Sequence, residues 1–275
     1  LLIVFYLLKF LFDENQTLIY SPITFINMKS NFQYMSRKQL ELEKLIKLPI
    51  FSIHPFFNKH SNLWFFSDLD GPSKAYEINL EDFSYSLFNE NLKLGLLTSY
   101  IWLEENNKLL ISRDAEGDEQ YNIHLYDFVT KQETKLTDTP KAKEFFVDIS
   151  PNKTHLLVSS NRNKVNNLFK LDIDSKELTQ LTFHDLPISG GGDWSQDDII
   201  YYNAIATENK RNVDIWMVHA DGSNNKELLQ LSDDSLDYVF DISNDGELLL
   251  ISTDAKGVLQ AVIYNTKTKE IKCYN

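Results

Sequence analysis

The chain has 275 residues, 43% of them hydrophobic and 24% charged, which matches globular proteins and excludes a chain that is disordered throughout. Aspartate and glutamate number 40 against 27 lysines and arginines, so the formal net charge is −13. An acidic surface repels phosphate groups, and nucleic acid is therefore not expected as a partner.

The first twelve residues, Leu1 to Phe12, are almost wholly apolar and stop at Asp13. A transmembrane helix needs about 20 apolar residues, so no membrane association is expected. A signal peptide has an apolar core of this length, but the basic leader and the cleavage site are lacking. A cytoplasmic location is predicted, and a periplasmic or secreted one is the alternative if Leu1 to Phe12 belong to a signal segment. The missing initiator Met favours a fragment of a longer chain.

Residues 36–48 read SRKQLELEKLIKL, with leucines and Ile46 mostly on one helical face. This pattern predicts a short amphipathic helix that ends before Pro49. Residues 1–47 are therefore predicted to form an N-terminal extension, distinct from the residues that follow.

From residue 48 onward, short apolar runs recur at regular spacing. One series starts at Leu63, Leu109, Leu156, Ile199 and Leu249, at intervals of 46, 47, 43 and 50 residues. A second series follows it at Ala75, Ile123, Leu168, Ile215 and Ala261, at intervals of 48, 45, 47 and 46 residues. Four short strands every 40 to 50 residues are typical of a β-propeller blade. The predicted fold is all-β, a complete or incomplete propeller of about five four-stranded blades, at residues 48–95, 96–141, 142–189, 190–236 and 237–275.

Two shorter motifs mark the blades. Asp-x-Ser occurs at Asp148, Asp193 and Asp241, and Leu-Thr closes two units at Leu136 and Leu181. A glycine in the hairpin between the second and third strands, as at Gly257, indicates a backbone with positive φ. The one cysteine, Cys273, excludes a disulfide framework and is typical of a reducing compartment. In a predicted terminal strand it is interpreted as a small buried residue.

Motifs for chemistry are lacking. The segment Gly190 to Ser195 has no glycine two residues after the serine, so it is not the G-x-S-x-G turn of an α/β-hydrolase. The histidines lack metal-ligand spacing, and the acidic run from Asp114 to Glu119 is interpreted as a solvated hairpin rather than a calcium loop. No catalytic residue, metal ion or cofactor is predicted. Acidic residues are too numerous for a glycosidase pair to be singled out, which leaves that option open.

One segment carries a more specific resemblance. Residues 110–127, LISRDAEGDEQYNIHLYD, resemble the R-D-x-x-G-x-E motif and following strand in propellers of the prolyl oligopeptidase family of serine peptidases, most of all the acylaminoacyl peptidase and dipeptidyl aminopeptidase branch. The openings DISPN, DWSQD and DISND are similar to the S-P-D-G strand starts of the family. TolB-like and WD40-like propellers share the S-P-D-G and L-T features.

The resemblance implies a partner domain and a role. Family members carry a C-terminal α/β-hydrolase domain with a Ser-Asp-His triad, none of which has a counterpart here. Their propeller gates the active site and restricts substrates to short peptides. By the motif, Glu119 is expected to be an interdomain or substrate-side contact, with Arg113 as its structural partner. The alternative for Glu119 is a hairpin carboxylate in water.

Two functions follow as hypotheses. The first is the gating, substrate-filtering propeller of a serine peptidase whose catalytic domain is missing from this chain, so that the chain has no catalysis of its own. The second is a standalone TolB-like propeller that binds a protein partner, for which the charge of −13 favours basic surfaces.

Overall fold

The computed structural model describes residues 51–57, 62–67, 74–79, 82, 84–88, 97–103, 106–114, 118–205 and 207–274. All of them lie in the compact unit Pro49–Asn275. The predicted extension 1–47 and the helix at 36–48 lie outside the described residues and stay predictions. In the described ranges the regular structure is strands and turns, without an α-helix. None of these ranges contains a helix long and apolar enough to cross a membrane.

Within the described residues, twenty strands form five sheets of four strands each. They are β1 (Phe51–Phe57), β2 (Asn62–Ser67), β3 (Lys74–Asn79) and β4 (Tyr85–Leu87); β5 (Leu97–Leu103), β6 (Lys108–Arg113), β7 (Asn122–Asp127) and β8 (Gln132–Lys135); β9 (Glu144–Ile149), β10 (His155–Ser160), β11 (Asn167–Asp172) and β12 (Leu178–Gln180); β13 (Ile188–Trp194), β14 (Ile199–Ile205), β15 (Val213–His219) and β16 (Lys226–Leu229); β17 (Tyr238–Ile242), β18 (Leu248–Thr253), β19 (Gln260–Asn265) and β20 (Ile271–Tyr274).

Each sheet is an antiparallel meander in which consecutive strands pair. The first strands of the third, fourth and fifth blades, β9, β13 and β17, also contact each other in sequence. This arrangement confirms the predicted fold class of five four-stranded propeller blades.

The Asp-x-Ser motif closes the first hairpin of a blade. The hydroxyl oxygens of Ser150, Ser195 and Ser243 each accept a hydrogen bond from the backbone N–H that opens the next strand, at 2.9, 3.1 and 2.9 Å. The turn between them needs one residue with positive φ, which is Gly246 in the fifth blade, at 71°. In the earlier blades Lys153 and Asp198 adopt this conformation, at 60° and 59°. The motif is therefore a local solution for a tight turn.

The Leu-Thr motif closes the fourth strand onto the third. Thr182 Oγ1 accepts the Leu168 N–H at 2.8 Å and donates to Asn167 Oδ1 at 2.9 Å. Thr137 Oγ1 accepts the Ile123 N–H in the same way at 3.0 Å. The threonine thus pairs a backbone donor where the strand ladder ends.

Apolar packing joins one blade to the next, because residues of a central strand alternate between its two faces. We call the face toward the preceding blade the incoming face and that toward the following blade the outgoing face. In β10, Leu156 and Val158 on the incoming face pack with Leu110 of the second blade. Leu157, on the outgoing face, packs with Ile200 of the fourth blade. All of these side chains are fully buried.

Cys273 is a correction to the sequence prediction. It is exposed in β20, the outermost strand of the fifth blade, where it pairs with Val262 on one side. The prediction of a buried residue is wrong because an edge strand has a neighbouring strand on one side alone.

The glycines of β13 let this strand approach its neighbours closely. A Cβ atom on Gly192 would lie 3.0 Å from the Tyr201 carbonyl oxygen and 3.3 Å from Leu157 Cδ2. A Cβ on Gly191 would meet Val147 Cγ1 at 3.5 Å, an ordinary van der Waals contact. The adjacent glycines therefore differ in their tolerance of a side chain.

We predict that Gly192→Ala lowers the free energy of unfolding by about 1–3 kcal/mol, because overpacking against a backbone carbonyl forces the strand to shift. The matched variant Gly191→Ala is expected to stay within about 0.5 kcal/mol of the parent. Urea unfolding of both variants checks this, and equal stabilities would contradict the close approach at Gly192.

Candidate interdomain face

The functional candidates lie at one edge of the blades. Because strands alternate in direction within a meander, the loops that join strands two and three lie at the same edge of the sheet as the connections from blade to blade. We call this the 2–3 edge. It contains the hairpin between β6 and β7, to which both residues predicted from the motif belong.

Arg113 is buried at the end of β6 and forms an ion pair with Glu133 of β8. Glu133 also accepts a hydrogen bond from His124 Nδ1 at 2.6 Å. Burial opposes ionisation of Glu133, but the hydrogen bonds from His124 and Arg113 outweigh it and lower the pKa of its carboxyl group. This part-buried network makes Arg113 part of the packing of the second blade.

Glu119 lies in the hairpin with a φ of 55° and a side chain that is 71% exposed. Its Oε2 accepts from Lys143 Nζ of the third blade at 3.1 Å. In the described part of the chain, Glu119 and Arg113 therefore have different partners. An exposed pair of this kind contributes at most about 1 kcal/mol to stability, so Glu119 is available for a further contact at the 2–3 edge, and its role stays a prediction.

A second ion pair at this edge was missed by the sequence analysis. Glu144, fully buried at the start of β9, accepts hydrogen bonds from Ser160 Oγ at 3.1 Å and Arg162 Nε at 3.0 Å. Arg162 Nη2 also donates to Thr139 Oγ1 at 2.9 Å. In the fifth blade the hydroxyl-to-acid bond recurs, since Thr253 Oγ1 donates to Asp237 Oδ1 at 2.5 Å. An acid at or directly before the first strand, Glu144 and Asp237, was the signal that the sequence offered.

Exposed apolar side chains lie at the same edge. Phe183 is in the connection from the third to the fourth blade, and Val258 and Leu259 are in the hairpin between β18 and β19. Large exposed apolar residues beside charged ones are typical of a surface that contacts another protein or domain. The 2–3 edge is thus a candidate interdomain face.

The opposite edge carries aspartates at matching positions in three blades. Asp148 Oδ2 accepts the Trp194 N–H of the next blade at 2.7 Å. Asp193 is half-buried, and burial together with the like charges of Asp148 and Asp241 raises its pKa to about 6. Asp148 thus links the first strands of the third and fourth blades, while ionisation of Asp193 has an energetic cost.

Metal-ligating side chains do not cluster in the described ranges. In them, no group of three or more His, Cys, Asp or Glu side chains is placed to hold a metal ion.

Compared with models of protein families, the chain matches none. Among curated proteins it is similar to dipeptidyl aminopeptidase BIII of Pseudoxanthomonas mexicana, with 31% identity over 132 residues. That match covers 47% of this chain and 17% of the aminopeptidase. Among solved structures, prolyl endopeptidase superposes with a TM-score of 0.61 at 9% identity, over 82% of this chain and 36% of the peptidase. The predicted resemblance to the peptidase propellers is confirmed.

Propellers of other proteins share this fold. A putative TolB from Agrobacterium tumefaciens has a TM-score of 0.56 at 18% identity, over 82% of this chain and 80% of that chain. Oligogalacturonate lyase in complex with manganese has a TM-score of 0.60 at 15% identity, over 82% of this chain and 66% of the lyase. At these identities the superpositions show the fold alone.

Replacing Asp193 by Asn is expected to stabilise the chain at neutral pH. The folded-state pKa of about 6 lies above the ordinary value of 3.8, so the ionised carboxylate destabilises the fold. This loss of stability is absent below about pH 4, where the carboxyl group is protonated in both states, and reaches its full size above about pH 7. We predict that Asp193→Asn raises the free energy of unfolding by about 1–2 kcal/mol at pH 7.5 and leaves it unchanged at pH 3.5. Denaturant unfolding at both pH values checks this prediction.

The matched control is Asp245→Asn in the fifth blade. The Asp245 carboxylate accepts hydrogen bonds from the Ser243 hydroxyl and the Glu247 N–H, which lower its pKa. Loss of stability at pH 7.5 is expected for this variant. An increase in the free energy of unfolding for both variants would contradict the inference that the ionised Asp193 carboxylate destabilises the fold.

Proposed function

We propose that this chain is the gating and substrate-filtering propeller of a prolyl oligopeptidase-type serine peptidase that acts on short peptides. On this proposal, the catalytic α/β-hydrolase domain with its Ser-Asp-His triad lies outside the described residues. The observation that carries the proposal is the 31% identity over 132 residues to dipeptidyl aminopeptidase BIII. The finer assignment, to an aminopeptidase of the acylaminoacyl or dipeptidyl type in the cytoplasm, belongs to the same proposal.

The chemistry of the 2–3 edge supports a hydrolase domain as the partner. Phe183 and Leu259 offer apolar contact area, and Glu119 offers an exposed carboxylate for a basic group. In such an enzyme the propeller supplies no reacting group. It restricts access and orients the peptide, while the hydrolase domain performs acyl transfer. The net charge of −13 also attracts the positively charged amino terminus of a peptide.

The first test is the intact mass of the protein in its source cells and its reaction with a fluorophosphonate probe for active serine hydrolases. A mass well above 32.0 kDa together with covalent labelling is expected. A longer protein that the probe does not label, while a control serine hydrolase in the same lysate reacts, would overturn the peptidase proposal.

Glu119→Gln tests the interdomain contact. In the probe-reactive protein we expect kcat/KM for short peptides to fall about tenfold or more, corresponding to about 1.4 kcal/mol. The melting temperature is expected to stay within about 2 °C, because the carboxylate is exposed. Glu270→Gln, another exposed carboxylate at a distant turn, is the matched control. Equal kcat/KM for both variants and the parent would show Glu119 to be a hairpin carboxylate in water.

A binding module is the second candidate, favoured by the TolB superposition, which covers 80% of that chain. On this view the 2–3 edge binds a protein partner and no hydrolysis follows. A native mass of 32.0 kDa without reaction with the hydrolase probe would favour it. The partner would then be sought among basic proteins, by capture on the wild-type chain and loss of capture on a Phe183→Ser variant.

A further inference from the structure

His184 lies in the connection from the third to the fourth blade, next to the exposed Phe183 of the candidate interdomain face. Its side chain is half-buried against the fourth blade. Nε2 lies 2.7 Å from the Tyr202 hydroxyl oxygen, and the ring meets Trp216 edge-on, with the ring centroids 4.7 Å apart. The backbone N–H of His184 donates to Asn167 Oδ1 of the third blade at 2.8 Å. This histidine therefore fixes the connection to both blades that it joins.

The hydrogen bonds of Tyr202 determine which ring nitrogen of His184 carries the proton. The Tyr202 hydroxyl donates its proton to Asn225 Oδ1 at 2.5 Å, so its oxygen is an acceptor toward His184. Nε2 of His184 therefore carries the proton and donates it to Tyr202. The neutral imidazole already satisfies this chain of donors and acceptors, and a second proton would have to be placed on Nδ1.

The surroundings of the ring disfavour that second proton. The residues that β11, β14, β15 and the turn before β16 place around His184 are Asn167, Tyr202, Trp216 and Asn225. Of these, the Tyr202 hydroxyl titrates, and burial raises its pKa. In the described part of the chain no carboxylate forms an ion pair with the ring. Burial lowers the pKa of His184, and the charge of the neighbouring Asp185 offsets part of this effect.

The position of His184 is occupied differently in two other connections between blades. It lies two residues after the threonine of the Leu-Thr motif, and the matching positions are Thr139 in the second blade and Asp234, after Leu-Ser, in the fourth. Thr139 Oγ1 accepts from Arg162 Nη2 at 2.9 Å, and Asp234 Oδ1 lies 3.4 Å from Arg211 Nε. Arginine stays protonated in proteins. Of these three connections, the one after the third blade is held by a group whose ordinary pKa is near neutrality.

We propose that His184 is a proton-sensitive anchor, which holds residues 181–187, and with them Phe183, on the fourth blade at neutral pH and releases them in acid. The pH dependence has this sign because the anchored imidazole binds a proton less tightly than a free one. As the pH falls below the ordinary histidine pKa of about 6.5, the released state gains a proton before the anchored state does. Contacts that a partner makes through Phe183 are then expected to weaken. This inference goes beyond the proposed function, since it holds for a hydrolase domain and for a separate protein partner alike.

The first measurement is the NMR titration of the histidine ring nitrogens in the 275-residue chain labelled with 15N-histidine. The signals of His184 are those missing from His184→Gln. At pH 7.5 the expected state is the neutral ring with its proton on Nε2. The midpoint of its titration is expected below that of histidine in the same chain unfolded in urea. A midpoint at or above that of the unfolded chain overturns the proposal.

The second measurement is hydrogen exchange of the His184 amide at pH 7.5 and 5.5, expressed as the protection factor relative to the intrinsic rate at each pH. We expect protection to fall about threefold or more in acid, because release breaks the bond to Asn167. The matched control is the Ala142 amide in the connection from the second to the third blade, which donates to the Thr139 carbonyl at 3.2 Å. Its protection factor is expected to be the same at both pH values.

His184→Gln keeps an N–H donor for Tyr202 but cannot be protonated, so the protection of the amide at position 184 is expected to be independent of pH in this variant. Equal protection at both pH values in the parent overturns the proposal. An equal fall in the parent and in His184→Gln also overturns it, because another group is then responsible.

Tyr202→Phe is the second variant in case His184→Gln misfolds. It removes the acceptor for Nε2 and is expected to lower the protection of the His184 amide already at pH 7.5, whereas protection equal to that of the parent would contradict the anchor. A protein that behaves as expected in these measurements but does not react with the hydrolase probe refutes the proposed function and leaves this inference standing.

Discussion

The packing of one sheet on the next is the interaction on which the rest of the structure depends. Adjacent residues of a central strand point to opposite faces, so Leu156 and Leu157 of β10 are fully buried against different blades. A blade with two apolar faces is not stable alone, and each blade needs a neighbour on both sides. The stability of the array is therefore a sum of interfaces, and a change at one interface is felt mainly by the two blades that share it.

Polar groups are used where the apolar layers end. Serine hydroxyls close the hairpins at one edge, and threonine hydroxyls close the fourth strands at the other. Since these bonds are local, the loops between them are free to carry other residues. The buried pair of Glu144 and Arg162 and the exposed Glu119 are examples at the 2–3 edge. This division between a repeated frame and variable loops is how propellers acquire unrelated functions.

Electrostatics at the opposite edge is less favourable. Burial raises the pKa of both Asp148 and Asp193. The backbone N–H of Trp194 offsets part of this effect at Asp148, whereas the like charges of Asp148 and Asp241 add to it at Asp193. The sequence repeat is the physical reason. Because the motif places one aspartate at the same height in each blade, the aspartates of successive blades lie close together.

The sequence by itself determined the strands, their number per blade and the chemistry of the turns. Those features depend on alternation and on hydrogen bonds between residues close in the chain, and both are visible as a repeat of 43 to 50 residues. The resemblance of residues 110–127 to the peptidase propellers was also readable without a structure.

The tertiary structure alone decided which side chains meet across the strands and blades. It paired Arg113 with Glu133 and Glu119 with Lys143, and it joined Glu144 to Arg162 over 18 positions of sequence. It also left Cys273 exposed, although its strand is apolar enough to suggest burial. The reason is that a long charged side chain reaches any partner within several ångströms, and that burial depends on whether another layer covers a strand. Neither the partner of a charged side chain nor the presence of a covering layer is encoded in the local pattern of residues.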